Sequence, residues 1–371
     1  MPRSSHAERL RRLLHRMRET GTDLVALGPT SHMRWLAGAD PHGDERPVML
    51  LVSQSHAGFL MPALNADAVR QATDLPFECW DDAEGPDAAL RRLLVACKVG
   101  AEPCVSLDEA MRADFALLLL DALERPRRGF SAETLGHLRA RKDEGEAAAL
   151  RASARANDRA VQAGLDALRP GITEREVADA IGAAHAAVGA RTAFCIVAFG
   201  PNAAFPHHHT GDRALEEGTA VLVDAGCRLG GYPSDMTRCA WFGTSPDPEF
   251  LRVAEVVERA VRAGMAAAVP GARARDVDAA ARGVIAEAGY GERFVHRTGH
   301  GLGIDVHEPP WITATSDTVL EEGMVFSVEP GIYLPGRFGI RLEDVVIVEG
   351  GAARVLSDMP RDVQLRSQSA P

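Results

Sequence analysis

Four acidic residues and one histidine in the second half of the chain stand where apolar runs end. Asp224 closes VLVDAG, and Asp235 follows eleven residues later in GYPSDMTR, across a turn at Gly230-Gly231. His300 lies among glycines in HRTGHGLGIDVHEPP, with His296 and His307 on either side. Glu329 ends MVFSVEPG, and Glu343 follows Arg341 by two in GIRLEDVVIV, a spacing that puts both on one face of a strand. Each residue has an ordinary use taken singly: Asp before Ala-Gly forms turns, Glu before Pro-Gly caps one, and His before Glu-Pro-Pro is a loop residue. Together they conflict with their surroundings. Four unpaired carboxylates in apolar sequence carry a desolvation and repulsion penalty of several kcal/mol. Divalent cations remove it, and four carboxylates with one imidazole suit a two-ion site for Mn, Co, Mg or Zn. Thr237 shares the strand face of Asp235 and is expected to hydrogen-bond to such a ligand.

The elements that must carry these residues form two sets, and a chain of 371 residues is long enough for two domains. In the second set, a helix over 144–168 stops at Pro170-Gly171. Thr173 then opens another with Glu176 three residues on, a capping-box spacing. The same order returns about a hundred residues later: a helix over 248–269, a stop at Pro270-Gly271, and a helix over 274–288. Glycine-rich, strand-like sequence follows each pair, which predicts an internally duplicated α+β domain. The first set opens with an amphipathic helix bearing Leu10, Leu13, Leu14 and Met17. Strands over 23–27 and 48–53 and helices over 63–73, 87–96 and 108–123 follow, predicting an α/β domain with a largely parallel sheet. A turn-rich stretch over 126–131 reads as a linker. The expected domains are 1–136 and 137–371.

Composition excludes several classes. The net charge of −11 lacks the footprint of a phosphate-backbone binder, so nucleic acid is not an expected partner. Apolar runs such as 115–120 are too short to span a bilayer. Only two of the 41 basic residues are lysines, Lys98 and Lys142, and neither lies near the candidate chemistry in sequence, which argues against a Schiff base. The six cysteines show no CxxC pair, and the N-terminus has no apolar core of a secretory signal, so free thiols and the cytoplasm are expected.

The ordered set VDAGxxxxGYxSDMTR, GHGxGxxxHE, SxEPG and RLED resembles the prolidase, aminopeptidase P and creatinase family. The likeness is strong over 138–356 and looser before it. It implies a creatinase-like α/β N-terminal domain and a catalytic domain of the pita-bread fold. It further implies two divalent ions (Mn, Co or Zn) held by Asp224, Asp235, His300, Glu329 and Glu343, with Asp235 and Glu343 bridging. His207, in the run His207-His208-His209, falls where the family keeps a proton-shuttling histidine. His296 and His307 match substrate-contacting histidines, and Arg341 the arginine before the second bridging glutamate. No metal position departs from the pattern, which disfavours a metal-free relative.

The reaction so implied is hydrolysis of the peptide bond before proline, with Glu329 orienting or deprotonating the water and His207 and His307 assisting. A dipeptidase (prolidase) and an aminopeptidase P both keep the arginine; the chain length tilts toward the dipeptidase. A non-peptidase amide hydrolase and a catalytically silent binding protein are the readings from other classes. Family subunits pair so that an N-terminal loop reaches the neighbour's active site. In a homodimer of that kind, Asp40 or Asp44 would meet the substrate's ammonium and Arg46 a carboxylate.

Overall fold

The computed structural model describes residues 3–367 and divides into two compact units, Met1–Arg139 and Ala140–Pro371. In the first, the chain order is α1 (Arg3–Thr20), β1 (Leu24–Leu27), α2 (Ser31–Ala37), β2 (Met49–Ser53), β3 (Ala57–Pro62), α3 (Ala63–Arg70), β4 (Phe77–Trp80), α4 (Asp87–Cys97), β5 (Cys104–Leu107), α5 (Ala113–Asp121), β6 (Arg127–Phe130) and α6 (Leu135–Ala140). Helix α1 buries Leu13 and Met17, four residues apart on one face. One six-stranded sheet runs in the order β4-β3-β2-β1-β5-β6. β1 and β2 are buried along their whole length, as their uninterrupted apolar runs require.

Two expectations are corrected here. The sheet is mixed rather than largely parallel: β1–β5, β5–β6 and β3–β4 are parallel, whereas β1–β2 and β2–β3 are antiparallel. The supposed linker over 126–131 contains β6, an edge strand paired with β5. All four β6 residues are exposed, so no apolar alternation marks it in the sequence.

The second unit continues with α7 (Glu144–Asp166), α8 (Glu174–Ala187), β7 (Arg191–Phe199), β8 (Thr219–Leu229), β9 (Tyr232–Pro233), β10 (Met236–Phe242), α9 (Pro248–Ala267), α10 (Ala274–Glu287), β11 (Gly299–Gly301), β12 (Glu308–Ile312), β13 (Val325–Val328), β14 (Gly331–Leu334), β15 (Phe338–Arg341), β16 (Asp344–Glu349), β17 (Ala352–Val355) and β18 (Gln364–Arg366). Two sheets, β18-β10-β8-β7 and β12-β11-β13-β16-β17, pack with the hairpin β14–β15 around a core that includes Val257, Val277, Phe326 and Ile340. This is the pita-bread architecture.

The duplication is visible in the hydrogen bonds. Gly171 N donates to Leu215 O at 2.9 Å and Gly271 N to Leu320 O at 2.8 Å. Thr173 N donates to Glu176 Oε2 and Arg273 N to Asp276 Oδ2, so each second helix starts on the same carboxylate cap. Isolated bridges Thr173–Ala214 and Arg273–Val319 complete the correspondence.

Candidate active site

Both halves of the second unit contribute side chains to one cavity of about 650 Å³. Asp224 lies in β8, opposite Thr237 of β10 in the antiparallel register. The chain reaches Asp235, just before β10, by a reversal at Gly230 and Gly231, both with positive φ (60° and 89°), as a two-residue hairpin needs. His300 is the middle residue of β11. A Cβ on Gly299 would collide with the Ser327 carbonyl and one on Gly301 with the Pro309 carbonyl, so strands can close on both sides of His300 only because glycines flank it. Glu329 follows β13 directly, and Glu343 sits between β15 and β16, where its N–H donates to Thr237 O at 3.2 Å.

Asp224, Asp235, His300, Glu329 and Glu343 all line the cavity, and so do His207, His296, His307 and Arg341. Potential ligand atoms fall into overlapping groups within 4.8 Å: Asp224 with Asp235 and Glu343, His300 with Glu329 and Glu343, and Asp235 with His300 and His307. Glu343, Asp235 and His300 thus each belong to two groups, and of these the two carboxylates have a second oxygen to offer.

The electrostatics show what the arrangement lacks. Burial, then the charges of Glu343, Asp224 and Glu329, push the Asp235 carboxyl well above the ordinary carboxylate range. Burial, with Glu329 and Asp224, does the same to Glu343, and burial lifts Glu329 to about 7. Burial and the neighbouring His307 hold His300 down at about 3, so its ring is neutral. Its Nδ1 lies 3.1 Å from the Gly301 carbonyl, which can only accept, so Nδ1 carries the proton. Nε2 therefore points a lone pair at Glu329 Oε1 (3.3 Å) and Asp235 Oδ2 (3.6 Å). Asp224 Oδ1 and Glu343 Oε1 are buried with no hydrogen-bond partner among the described residues. Acceptors facing acceptors, with two orphaned carboxylate oxygens beside them, suit divalent cations, which would remove the charge that now pushes these carboxyls upward.

The other carboxylate oxygens are held in place. Thr237 Oγ1 donates to Glu343 Oε2 at 2.7 Å, and Ser327 Oγ donates to Glu329 Oε1 at 3.0 Å while accepting from His300 N. Arg341 donates to Asp224 Oδ2 at 2.6 Å, to Thr237 Oγ1 at 3.1 Å and to Tyr333 Oη at 2.8 Å. Tyr333 in turn lies 2.8 Å from His296 Nε2, and His296 Nδ1 donates to the Arg297 carbonyl, so both ring nitrogens are occupied. Burial and Arg341 lower His296 to about 4. Of the three consecutive histidines only His207 lines the cavity; His208 is bound to Glu174 at 2.8 Å.

Three contributors escaped the sequence reading. Tyr333 looks like a strand residue in GIYL, and only the β14–β15 pairing carries it to Arg341. Lys142, set aside as remote, is fully buried against Glu308 (2.9 Å), the neighbour of His307. A lysine in a chain that otherwise uses arginine was the available signal. Glu174 could not be singled out from helix-start acids. The N-terminal loop residues have partners of their own in the first unit: Arg46 grips Asp82 with two bonds of 3.0 Å, Asp44 accepts from Arg46 N, and Asp40 lies 3.4 Å from Arg34.

Comparison with known proteins agrees with this geometry. Residues 148–350 match Peptidase_M24, metallopeptidase family M24. The probable dipeptidase PepE of Mycobacterium tuberculosis (strain ATCC 25618 / H37Rv) is 40% identical over 354 residues, covering 93% of this chain and 92% of that protein. The Xaa-Pro dipeptidase of Lactobacillus delbrueckii subsp. lactis is 34% identical over 344 residues, covering 90% and 92%. The crystal structure of dipeptidase PepE from Mycobacterium ulcerans superposes with a TM-score of 0.92 at 34% identity over 99% of both chains. The family match runs through every segment that supplies a carboxylate or histidine to the cavity, and on that ground the chain belongs to metallopeptidase family M24.

Proposed function

We propose that the chain hydrolyses the Xaa-Pro bond of dipeptides, using two divalent ions (Mn, Co or Zn) held by Asp224, Asp235, His300, Glu329 and Glu343. The observation that carries this reading is the pair of orphaned oxygens, Asp224 Oδ1 and Glu343 Oε1, buried in a cavity that histidines also line. Ions held there would polarise the scissile carbonyl and acidify a water for attack at neutral pH. The chain's own residues do the rest. Asp235 and Glu343, each within reach of two ligand groups, are the shared ligands. Glu329 orients the attacking water and accepts its proton.

The Xaa-Pro bond is a tertiary amide, and its nitrogen leaves as a good leaving group only when protonated. His207 supplies that proton, and His307 hydrogen-bonds the oxygen that gains charge. Phe194, Ile196 and Val306 provide apolar wall for a proline ring. His296 meets substrate through its ring edge, because its nitrogens are taken. Arg341 holds Asp224 in place, with four of its five N–H groups given to Thr237, Pro206, Tyr333 and Asp224.

The 34% identical Xaa-Pro dipeptidase supports the substrate class. All six cysteines are free, which supports a reducing compartment such as the cytoplasm, and no helix among the described residues is long and apolar enough to cross a membrane. A homodimer in which the loop of Asp40, Asp44 and Arg46 approaches the partner's cavity completes the proposal.

The test is an activity panel with added Mn²⁺ or Co²⁺: Xaa-Pro dipeptides, Xaa-Pro-Yaa tripeptides and small amides. Dipeptide cleavage abolished by a chelator is expected. Cleavage of tripeptides alone would make the chain an aminopeptidase P, and turnover of small amides alone a non-peptidase hydrolase. Bound metal with no turnover would leave a silent binding protein.

A further inference from the structure

Glu174, the first residue of α8, is completely buried and far from any apolar role. Its carboxylate accepts four hydrogen bonds. Oε1 takes Phe199 N and Asn202 Nδ2, both at 2.8 Å; Oε2 takes Gly211 N at 3.0 Å and His208 Nε2 at 2.8 Å. A carboxylate offers about four acceptor positions, and all are filled. All four donors belong to the single segment 199–211, gripped at both ends and in the middle. That segment is the one that carries Pro206 and His207 to the cavity wall. The His207 side chain has no such grip of its own; its place is set by the backbone on either side. The bond to His208 also turns the neighbouring ring away from the cavity, which leaves His207 alone of the three to face substrate.

The other half of the duplicated unit shows the same arrangement from a different position. Asp278 of α10, 1% exposed, accepts from Thr298 N at 3.3 Å and Thr298 Oγ1 at 2.7 Å, between His296 and His300. In both halves a buried carboxylate on the second helix anchors the histidine-bearing segment of that half.

We propose that Glu174 is a positioning residue for His207: the carboxylate holds the 199–211 segment so that the His207 ring stands where the departing nitrogen must be protonated. The inference rests on the proton-transfer role given to His207 above. Misplacement by about 1 Å is enough to lower turnover on the order of 100-fold.

The experiment is a double-mutant cycle of Glu174→Gln and His207→Ala on metal-loaded protein, with kcat, KM, bound metal and the His207 ring NMR signal measured for each. Glutamine keeps the shape but turns an NH₂ toward donors. Glu174→Gln is expected to lower kcat on the order of 10- to 100-fold with KM within about twofold and metal content unchanged, and to shift or broaden the His207 signal. In the His207→Ala background the same change should lower kcat by less than about threefold. An equal loss in both backgrounds, or a wild-type kcat per metal-loaded molecule, overturns the proposal. If Glu174→Gln does not fold, Asn202→Ala combined with His208→Ala removes two of the four donors and is read by the same cycle. Failure of the wild type to cleave any Xaa-Pro substrate would defeat the dipeptidase reading instead, and the substrate-free His207 signal would still decide whether Glu174 positions the ring.

Discussion

Each unit of the molecule holds a cluster of histidine and carboxylate side chains whose potential ligand atoms lie within 4.8 Å, and the two clusters treat their charge in opposite ways. In the first unit, His32, Asp108 and Glu109 are satisfied from within. Asp108 accepts from Ala110 N, Gly28 N and Thr30 Oγ1. Arg139 donates to His32 Nδ1, which leaves Nε2 to donate to Ser131 Oγ, and Ser131 donates to Glu109 at 2.6 Å. Burial works against the charge on Glu109, but the His32 ring, its Nε2 3.7 Å away, and the hydrogen bond from Ser131 outweigh it and hold the carboxyl down at about 2. In the second unit Asp224 and Glu343 have orphaned oxygens, Asp235 and Glu329 face a histidine lone pair, and Asp235, Glu329 and Glu343 are pushed upward. Residue type and proximity are the same in both places. What separates a cation site from a structural knot is whether the acceptors already have donors.

The comparison can be broken directly. Asp235→Ala or Glu343→Ala should abolish turnover and sharply reduce bound metal, because each removes a ligand common to two groups. Glu109→Gln in the first unit should leave metal stoichiometry and turnover per folded molecule unchanged. Asp108→Ala there should cost stability alone, about 1–3 kcal/mol, by stranding the Gly28 and Ala110 N–H groups. Metal analysis and steady-state kinetics on the same preparations decide it. Full activity in either second-unit variant would remove the two-ion reading.

A smaller effect sharpens the contrast through its sign. Glu329 has a folded pKa of about 7 against an ordinary 4.5, so in metal-free protein the native state holds more protons than the unfolded chain between those values. Stability from this group is complete below pH 4.5 and is lost as pH rises through 7, by on the order of 3 kcal/mol. Glu109, held low, acts in reverse: its contribution is present above 4.5 and is lost as pH falls toward 2. Burial acts the other way on His296 and His300, held at about 4 and about 3, whose contribution grows as pH rises toward 6.5, so the informative quantity is a difference. The Tm of chelated wild type minus that of chelated Glu329→Gln should fall between pH 5 and 8, and Mn²⁺ should remove the trend. A difference that rises over that range would contradict the burial argument.

How far the sequence was legible follows the same physics. Carboxylates at strand ends stand out because apolar runs make them conspicuous, and the repeated Pro-Gly stops announce the duplicated helices. Edge strands do not stand out: β6 is Arg-Arg-Gly-Phe, four exposed residues whose only mark is a backbone ladder to β5. Long-range partners are equally silent. Lys142 meets Glu308 across 166 positions, and His208 meets Glu174 across 34. Local pattern identifies a residue that disagrees with its neighbours; it says nothing of one that is reconciled at a distance.

The smallest expected effect concerns the loop of Asp40, Asp44 and Arg46, whose groups are partnered yet at least partly open to solvent. By the criterion above, partnered groups belong to structure, but these partnerships are weak. Ion pairs such as Arg46–Asp82 are screened by water and contribute little, so a substrate carboxylate or ammonium arriving from a partner subunit could exchange for them at little loss. Asp108 and Glu109, tied to backbone and buried hydroxyls, have no such freedom. At least one of Asp40→Ala, Asp44→Ala and Arg46→Ala should therefore raise KM about two- to fivefold or shift the preference between dipeptide and tripeptide. Metal content and Tm should hold. Light scattering should give twice the mass of one chain. A monomer with full activity, or three variants with wild-type kinetics on both substrate lengths, would confine the active site to the residues of a single chain.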